Sequence, residues 1–166
     1  MADAYEDFYR HYEPFVRAFI ARRVPIDSID DLVAEVFVVA WRRRGDMSAS
    51  ALPWLYRTAR NIVGDSYRSI ERLHALKQKI AAVPADAGSD PATVTADRAL
   101  LCSTMAELSE RDREILLLAA WEGLNPDAIG MVLGISAGSA AVRLHRARRR
   151  LERSITLYDE VAMEGQ

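Results

Sequence analysis

The feature that most constrains the fold is a segment near the middle of the chain, residues 83–91, with the sequence Val-Pro-Ala-Asp-Ala-Gly-Ser-Asp-Pro. Its prolines, glycine and small polar residues show no periodicity and leave little surface to bury. On both sides, apolar residues recur at helical spacing, and no alternating run bounded by turns is present. We therefore predict an all-α protein made of two small helical domains joined by a flexible linker.

The predicted helices follow from this periodicity and from its interruptions by proline, glycine and serine. We expect N-caps at Ser109, Asn125 and Ser136, because these side chains accept hydrogen bonds from free backbone N–H groups at a helix start. The expected helices cover residues 5–23, 29–44, 53–76, 96–108, 110–121, 126–133 and 137–158. The corresponding domains are residues 1–80 and 97–158, with a linker at 81–96 and a tail at 159–166.

Composition limits the class of function. Cys102 is the single cysteine, and His11, His74 and His145 are scattered, so neither an internal disulfide nor a zinc site is expected. No catalytic triad order, glycine-rich phosphate loop or HExxH pattern is present. We therefore expect no catalytic residues, no metal, no cofactor and no enzymatic activity.

The sequence also bears on location. No stretch approaches the roughly 20 apolar residues of a membrane span, and the N-terminus lacks the basic-then-apolar order of a secretory signal. We expect a soluble, cytoplasmic protein without membrane insertion. The net charge is -2, yet residues 143–153 hold six arginines and one acid, Glu152. Any binding to DNA is therefore expected at a defined site.

The strongest motif is a helix-turn-helix in residues 125–140. Asn125 and Pro126 start a short helix, a glycine at the turn can adopt the left-handed conformation, and Ser136 caps the second helix. Gly130 would let the second helix approach the first. On this second helix, the residues expected to be buried are Ala140, Leu144, Ala147 and Leu151.

A basic face lies opposite that buried stripe. A helix in the major groove offers such a face to DNA, with its first turns nearest the bases. The alternative is a solvated basic helix, which the capped turn before the helix disfavours. The residues expected to contact duplex DNA are Ser139, Arg143, His145, Arg146 and Arg149. We assign Arg146 to a base edge or its adjoining phosphate and Arg143 to the backbone at the groove rim.

A second basic helix lies in the first half, at residues 54–73. Cations beside an aromatic ring and an amide suit an opened DNA strand, whose unstacked bases need a flat surface. A merely solvated cationic face is the alternative. The candidate residues are Trp54, Arg57, Arg60, Asn61 and Arg68, opposite a predicted core face of Leu55, Ala59, Ile62, Ser66, Ile70 and Leu73.

The helix before it combines an acidic first turn with an apolar face. Acidic residues such as Asp30 stabilise the positive end of a helix, which explains their position without a function. Val38 falls on the outward side and indicates a partner surface. The predicted apolar face consists of Leu32, Val33, Val36, Phe37, Ala40 and Trp41, and the outward residues are Asp31, Glu35, Val38 and Arg42.

With these motifs in this order, the chain resembles an extracytoplasmic-function (ECF) RNA polymerase sigma factor along nearly its whole length. Residues 31–41 resemble the helix that binds the polymerase clamp, and residues 54–68 resemble the helix that opens and recognises the minus-ten element. Residues 108–118 and 133–151 resemble the module that binds the minus-35 element.

The resemblance implies a factor that binds core RNA polymerase at its clamp helices, recognises promoter DNA, melts it and starts transcription. It implies that Asp31, Glu35, Val38 and Arg42 contact polymerase, that residues 45–53 border a pocket for a flipped base, and that an anti-sigma factor covers these surfaces. The chain departs from the family pattern at Ala34, Ala141 and Val142, where glutamine, lysine and serine are common. The minus-35 sequence therefore stays open.

Two other classes of function compete with this interpretation. A two-domain helix-turn-helix regulator would bind duplex DNA without being a polymerase subunit, and would need a dimer interface or effector pocket in residues 1–80. The Arg57, Asn61 and Arg68 face, following an acidic helix, favours the sigma interpretation. An enzyme acting on nucleic acid is a distant third, because no metal-binding carboxylate cluster or nucleophile is visible.

Overall fold

A computed structural model describes residues 2–44, 50–78 and 104–164 of the protein. These residues form helices and turns without a β-strand, and the helices group into two compact units, which confirms the predicted all-α class. The first unit contains α1 (Ala2–Ala21), a 3-10 turn (Ile26–Ser28), α2 (Ile29–Arg42) and α3 (Ala51–Gln78). The second contains α4 (Glu110–Ala120), α5 (Pro126–Leu133) and α6 (Ala137–Glu164), preceded by helical residues 104–107.

The core of the first unit is formed by the facing sides of its helices. The rings of Phe19 and Tyr56 stack with their centroids 4.9 Å apart, which joins α1 to α3. The Tyr67 hydroxyl donates a hydrogen bond to the carbonyl oxygen of Arg23. The buried apolar residues are Val16, Phe19 and Ile20 of α1, Leu32, Val33, Val36, Phe37 and Ala40 of α2, and Leu55, Tyr56, Ala59, Ile62 and Val63 of α3.

Two residues predicted on the apolar sides of α2 and α3 are exposed. Ile70 is 45% exposed. The helix α3 has 28 residues and α2 has 14, so α3 is longer by about 20 Å and its last turns extend past α2. Trp41 is 39% exposed in the last turn of α2, where the Arg44 guanidinium lies 4.3 Å from the centre of its ring. The core assignment of Ile70 was therefore wrong, whereas Trp41 keeps its place on the predicted α2 face, where its ring contacts Tyr5. The other five residues of that face are buried.

The second unit has the predicted caps. The Ser109 hydroxyl accepts a hydrogen bond from the Asp112 backbone N–H at 3.2 Å, and the Asn125 side chain accepts one from the Ala128 N–H at 2.9 Å. The buried residues are Thr104, Leu108, Ile115, Leu116, Leu118, Ile129, Val132, Ala140, Leu144 and Ala147. The last helix, α6, continues to Glu164, beyond the helix end predicted at Tyr158.

Some predictions fall outside the described residues. These are the linker at 81–96, Cys102, most of the helix predicted at 96–108, loop residues 45–49 and the Leu73 side chain. The domain limits of 1–80 and 97–158 therefore stay predictions. Within the described ranges, no single helix combines the length and apolar composition of a membrane span, and α5 and α6 reach them only when joined across a 102° bend.

Candidate nucleic-acid interface

The turn between α5 and α6 has the geometry of a helix-turn-helix. The two helices are bent by 102° relative to each other, within the range of about 90–120° that this motif shows. Gly134 ends α5 in the left-handed conformation, with φ 69° and ψ 36°, as predicted for a glycine at this turn. The Ile135 N–H donates to the Gly130 carbonyl oxygen at 3.0 Å and closes the turn. The direction of α6 is thus set by backbone geometry.

Gly130 lies at the closest approach of the two helices. A Cβ atom at this position would lie 2.7 Å from the carbonyl oxygen of Ile135 and 3.3 Å from the backbone nitrogen of Ala137. Because both neighbours are backbone atoms, they have little freedom to move aside. This confirms that a glycine is needed here for α6 to approach α5.

The first turn of α6 is capped by Ser136. Its hydroxyl oxygen accepts a hydrogen bond from the Ser139 N–H at 3.1 Å and donates one to the Ser139 hydroxyl at 2.9 Å. The predicted cap is therefore confirmed. It also holds Ser139, one of the candidate DNA contacts, in a fixed position at the start of the helix.

The two sides of α6 differ as predicted. Ala140, Leu144 and Ala147 are buried, and Leu151 is half-buried. The opposite side, here called the α6 face, is exposed and consists of Gly138, Ser139, Val142, His145, Arg146 and Arg149. Arg143 is also exposed, on the flank of this face.

The arginines and the histidine on the α6 face and its flank have no partner among the described residues. The side chains of Arg143, His145, Arg146 and Arg149 form no hydrogen bond or ion pair with any other described residue. The positive charge of the three arginines is therefore available to a negatively charged ligand. Phosphate groups of DNA are such a ligand, because each neutralising contact releases condensed counterions.

Arg150 and Arg113 have a different role, which sequence reasoning did not find. Arg150 forms an ion pair with Asp112 and so joins α6 to the first turn of α4. The Arg113 guanidinium donates to the carbonyl oxygens of Met105 at 2.9 Å and of Ala106 and Leu108 at 3.2 Å. These arginines position α4 and α6. The Arg150 partner lies 38 residues away and the Arg113 partners lie across the break before α4, so helical periodicity indicates neither.

On α3, the candidate residues lie along one side of the helix. Arg57 and Asn61 are exposed, one turn apart, and form no side-chain interaction with other described residues. Arg68 lies two turns further along the same side and forms an ion pair with Asp65. Trp54 is half-buried one turn before Arg57. This side, here called the α3 face, therefore offers an amide, a cation and the edge of a ring.

Arg60 differs from the other candidates on α3. It is half-buried and takes part in an interaction within the protein. It lies on the flank of the α3 face, one position before Asn61. The structure therefore brings Arg57, Asn61 and Arg68 together on one side, with Trp54 and Arg60 at its margins.

On α2, the candidate polymerase contacts form a continuous exposed line. Asp31, Glu35, Val38 and Arg42 follow each other at spacings of four, three and four residues, which places them on one side of a helix. All four are exposed, and Val38 is 46% exposed. The outward position predicted for this set, here called the α2 stripe, is confirmed.

Sequence reasoning missed an aromatic cluster between α1 and α2. The Tyr5 ring meets the edge of Trp41 at 4.6 Å between centroids, and Tyr9 meets Phe37 at the same distance. The Tyr5 hydroxyl donates to the Phe37 carbonyl oxygen, and burial, followed by the neighbouring Tyr9, raises the pKa of Tyr5. The spacing of aromatic residues along α1 was the available signal.

An ion-pair network joins the start of α2 to α1. The Arg17 guanidinium bonds to Glu13 on its own helix and to Asp30, one residue into α2. The hydrogen bond to Glu13, then that to Asp30, raises the pKa of Arg17 further above its ordinary value. Asp30 is therefore used inside the unit, whereas Asp31 beside it belongs to the exposed α2 stripe. Among the described residues, no three His, Cys, Asp or Glu side chains are grouped to hold a metal ion.

Comparison with known proteins assigns each unit to a family region. Residues 8–73 match Sigma-70 region 2, and residues 99–151 match Sigma-70, region 4. The chain is 32% identical over 153 residues to RNA polymerase sigma factor CarQ of Myxococcus xanthus, which covers 90% of this chain and 87% of that protein. It is 29% identical over 126 residues to ECF RNA polymerase sigma factor SigL of Mycobacterium tuberculosis, covering 74% and 71% respectively.

Solved structures show the same fold. The sigma factor RpoE of Bartonella quintana, solved with the anti-sigma factor NepR, has a TM-score of 0.64 at 22% identity, covering 91% of this chain and 98% of that chain. CnrH, solved with the cytosolic domain of CnrY, also has a TM-score of 0.64, at 24% identity, covering 96% and 90%. The two helical units carrying regions 2 and 4 therefore define the class of RNA polymerase sigma factors.

Within that class, the chain belongs to the extracytoplasmic-function sigma factor family. The resemblance found in its sequence motifs is confirmed. The matches cover both units, so the family assignment does not depend on the helix-turn-helix alone. This favours the sigma factor over the two-domain regulator.

Proposed function

We propose that the chain is the promoter-recognition subunit of RNA polymerase, with a separate task for each of three exposed helix surfaces. The observation that carries this proposal is the presence of the α2 stripe and the α3 face in a region 2 unit, together with the α6 face in a region 4 unit. A regulator acting without polymerase would use the α6 face and leave the other two unexplained.

The α6 face binds the minus-35 element as duplex DNA. It follows a capped turn with a steep helix crossing, and the helix therefore presents its first turns to the major groove. Arg146 contacts a base edge or its adjoining phosphate, and Arg143 contacts the backbone. Ser139, His145 and Arg149 complete the contact surface.

The α3 face binds the opened minus-ten element. Opening requires a base to leave the stack, at a free-energy cost of a few kcal/mol. Asn61 can hydrogen-bond a base edge, Arg57, Arg60 and Arg68 balance backbone charge, and Trp54 offers a ring for stacking. Because few cations on this face are free, the face is better suited to recognising bases than to binding phosphate groups.

The α2 stripe binds core polymerase at its clamp helices. Asp31 and Glu35 supply negative charge, and Val38 supplies an exposed apolar contact beside them. Reversing both charges (Asp31→Lys with Glu35→Lys) should weaken association with core enzyme in a competition assay. Reversing two exposed acids elsewhere (Asp27→Lys with Glu71→Lys) should leave it unchanged. If the Asp31→Lys, Glu35→Lys variant competes for core enzyme as well as the control variant does, the docking surface lies elsewhere.

Three further properties follow from this function. The chain itself catalyses no reaction, because RNA synthesis belongs to the core enzyme. It acts in the cytoplasm, where polymerase and promoters are. An anti-sigma factor covers its polymerase- and DNA-binding surfaces, and support comes from the similar fold of RpoE, which was solved in complex with such a factor.

The decisive experiment is reconstitution with core RNA polymerase. Promoter-dependent transcripts should appear with the full chain and core enzyme, and not with core enzyme alone. Binding to duplex DNA should be tested in parallel without polymerase. Sequence-specific binding by the chain alone, with no effect on transcript initiation by core enzyme, would favour the regulator and contradict the proposal.

A further inference from the structure

An exposed apolar side chain lies at the centre of the α6 face. Val142 is 51% exposed, in the second turn of the helix. At roughly 100° per residue, it lies about 180° from the middle of the stripe formed by Ala140, Leu144 and Ala147. It is therefore the residue on these turns that points most directly away from the core of its unit.

The surroundings of Val142 leave it open to a ligand. A Cβ atom built at Gly138, one turn earlier on the same face, would have no atom within 4 Å. One and two turns further along this face, Arg146 and Arg149 have no partner among the described residues. An exposed apolar group followed on the same face by uncommitted cations does not resemble a packing surface for another apolar helix. It does resemble a surface for DNA, where charge neutralises phosphates and an apolar group meets a base.

The chemistry of valine limits what it can recognise on a base. Its side chain has no hydrogen-bond donor or acceptor, so it binds neither phosphate nor a polar base edge. The apolar group that the major groove presents is the C5-methyl group of thymine, which distinguishes A·T and T·A from the other pairs. Apolar side chains are used in protein–DNA complexes to contact it.

We propose that Val142 is a specificity-determining residue that packs against the C5-methyl group of a thymine in the minus-35 element. The inference rests on the proposed function, because it requires the α6 face to bind duplex promoter DNA. It adds a preference that the arginines cannot supply, since their contacts favour guanine or phosphate.

The experiment uses holoenzyme reconstituted from the full chain and core polymerase. Minus-35 sequences are first selected from a randomised promoter library. Each selected thymine is then replaced singly by deoxyuracil, which lacks only the methyl group. At one position, wild-type affinity should fall roughly fourfold, the ratio expected for burial of one methyl group. The same replacement should have a clearly smaller effect on Val142→Ala holoenzyme, whose side chain ends at Cβ and reaches less far toward the base.

Two variants provide controls. Val142→Thr keeps the branched shape with one methyl group, and should retain part of the discrimination against deoxyuracil. Leu157→Ala shortens another exposed apolar residue of α6, far from its N-terminus, and should discriminate as the wild type does. This pair separates loss of a DNA contact from a general effect of shortening an apolar side chain on this helix.

The possible results separate this inference from the proposed function. If no selected thymine is sensitive to deoxyuracil, or if Val142→Ala keeps the wild-type ratio, the inference is overturned while the sigma function stands. If the wild-type holoenzyme selects no sequence and starts no transcript, both are overturned.

Discussion

The two basic helices of the protein, α3 and α6, differ in how their cations are partnered. On α3, Arg68 is paired with Asp65 and Arg72 with the Ser69 hydroxyl, and only Arg57 among the exposed arginines is uncommitted within the described residues. On α6, Arg150 is paired, whereas the arginines of the α6 face and its flank have no partner in the part of the chain that the structure describes. A count of basic residues would miss this difference.

The difference matches the two forms of DNA that a sigma factor binds. A duplex is recognised by a helix whose free cations contact phosphates, which makes binding strongly dependent on salt. An opened strand exposes base edges and base faces, which an amide and an aromatic ring can contact. We therefore expect α6 to contribute charge-dependent affinity and α3 to contribute recognition of separated bases.

The largest expected effect comes from disrupting the close approach of α5 and α6 at Gly130. Gly130→Ala places a Cβ atom against backbone atoms of the turn and should destabilise the second unit by about 1–3 kcal/mol. Gly138→Ala, where space is open, should change stability by no more than about 1 kcal/mol and in the favourable direction. Hydrogen–deuterium exchange of α5 and α6 amides measures this unit by itself. Equal protection in both variants would mean that the turn is not tightly packed.

Next in size is the loss of Arg146. Arg146→Ala should relax preference at one or two positions of the minus-35 element and lower affinity for the preferred sequence by about 1–3 kcal/mol, roughly 5- to 150-fold. Binding of holoenzyme to promoter variants, measured at several salt concentrations, tests this. If Arg146→Ala keeps the wild-type preference among minus-35 sequences, another residue makes the base contact.

A smaller effect is expected from Asn61. If its amide binds an unstacked base, Asn61→Ala should reduce transcription from duplex promoters roughly 2- to 12-fold, the range for one lost hydrogen bond. Templates already mismatched at the minus-ten element should be affected less. Ser69→Ala, at an exposed polar residue of the same helix, is the control. Equal losses on both kinds of template would show that Asn61 serves folding.

The smallest expected effect distinguishes a free arginine from a paired one. Arg143→Ala should weaken binding to all sequences alike and lower the slope of log K against log salt by about 0.9, the contribution of one phosphate contact. Arg150→Ala removes the same charge from the same helix. Because Arg150 is paired with Asp112, the slope of log K against log salt should change less than half as much in Arg150→Ala as in Arg143→Ala. Equal slopes in the two variants would show that the free Arg143 and the paired Arg150 contribute alike to DNA binding.

The parts of the fold predicted from sequence are those set by local chemistry. The starts of α4, α5 and α6 follow from the capping side chains of Ser109, Asn125 and Ser136, whose hydrogen bonds span only three residues. The exposed sides of α2 and α6 follow from periodicity, because a helix of known phase turns the same residues outward in any context.

The parts that sequence did not predict depend on the lengths and contacts of other helices. Ile70 lies on the side of α3 that faces the core, but in the part of α3 that extends past the end of α2. Tyr56 is buried because the Phe19 ring stacks on it, a contact between residues far apart in sequence. The same holds for Arg150 and Arg113, which periodicity presented only as basic residues. Which arginines are free was therefore visible only in the structure.

The separation of α6 into a buried stripe and an uncommitted face also has an evolutionary consequence. Substitutions at exposed positions whose side chains form no hydrogen bond or ion pair with other described residues usually change stability by no more than about 0.5 kcal/mol. Val142, His145 and Arg146 are such positions, whereas Ala140 and Leu144 are not. After duplication of its gene, a copy could therefore acquire a new set of target promoters through a few substitutions on one face, without passing through an unstable intermediate.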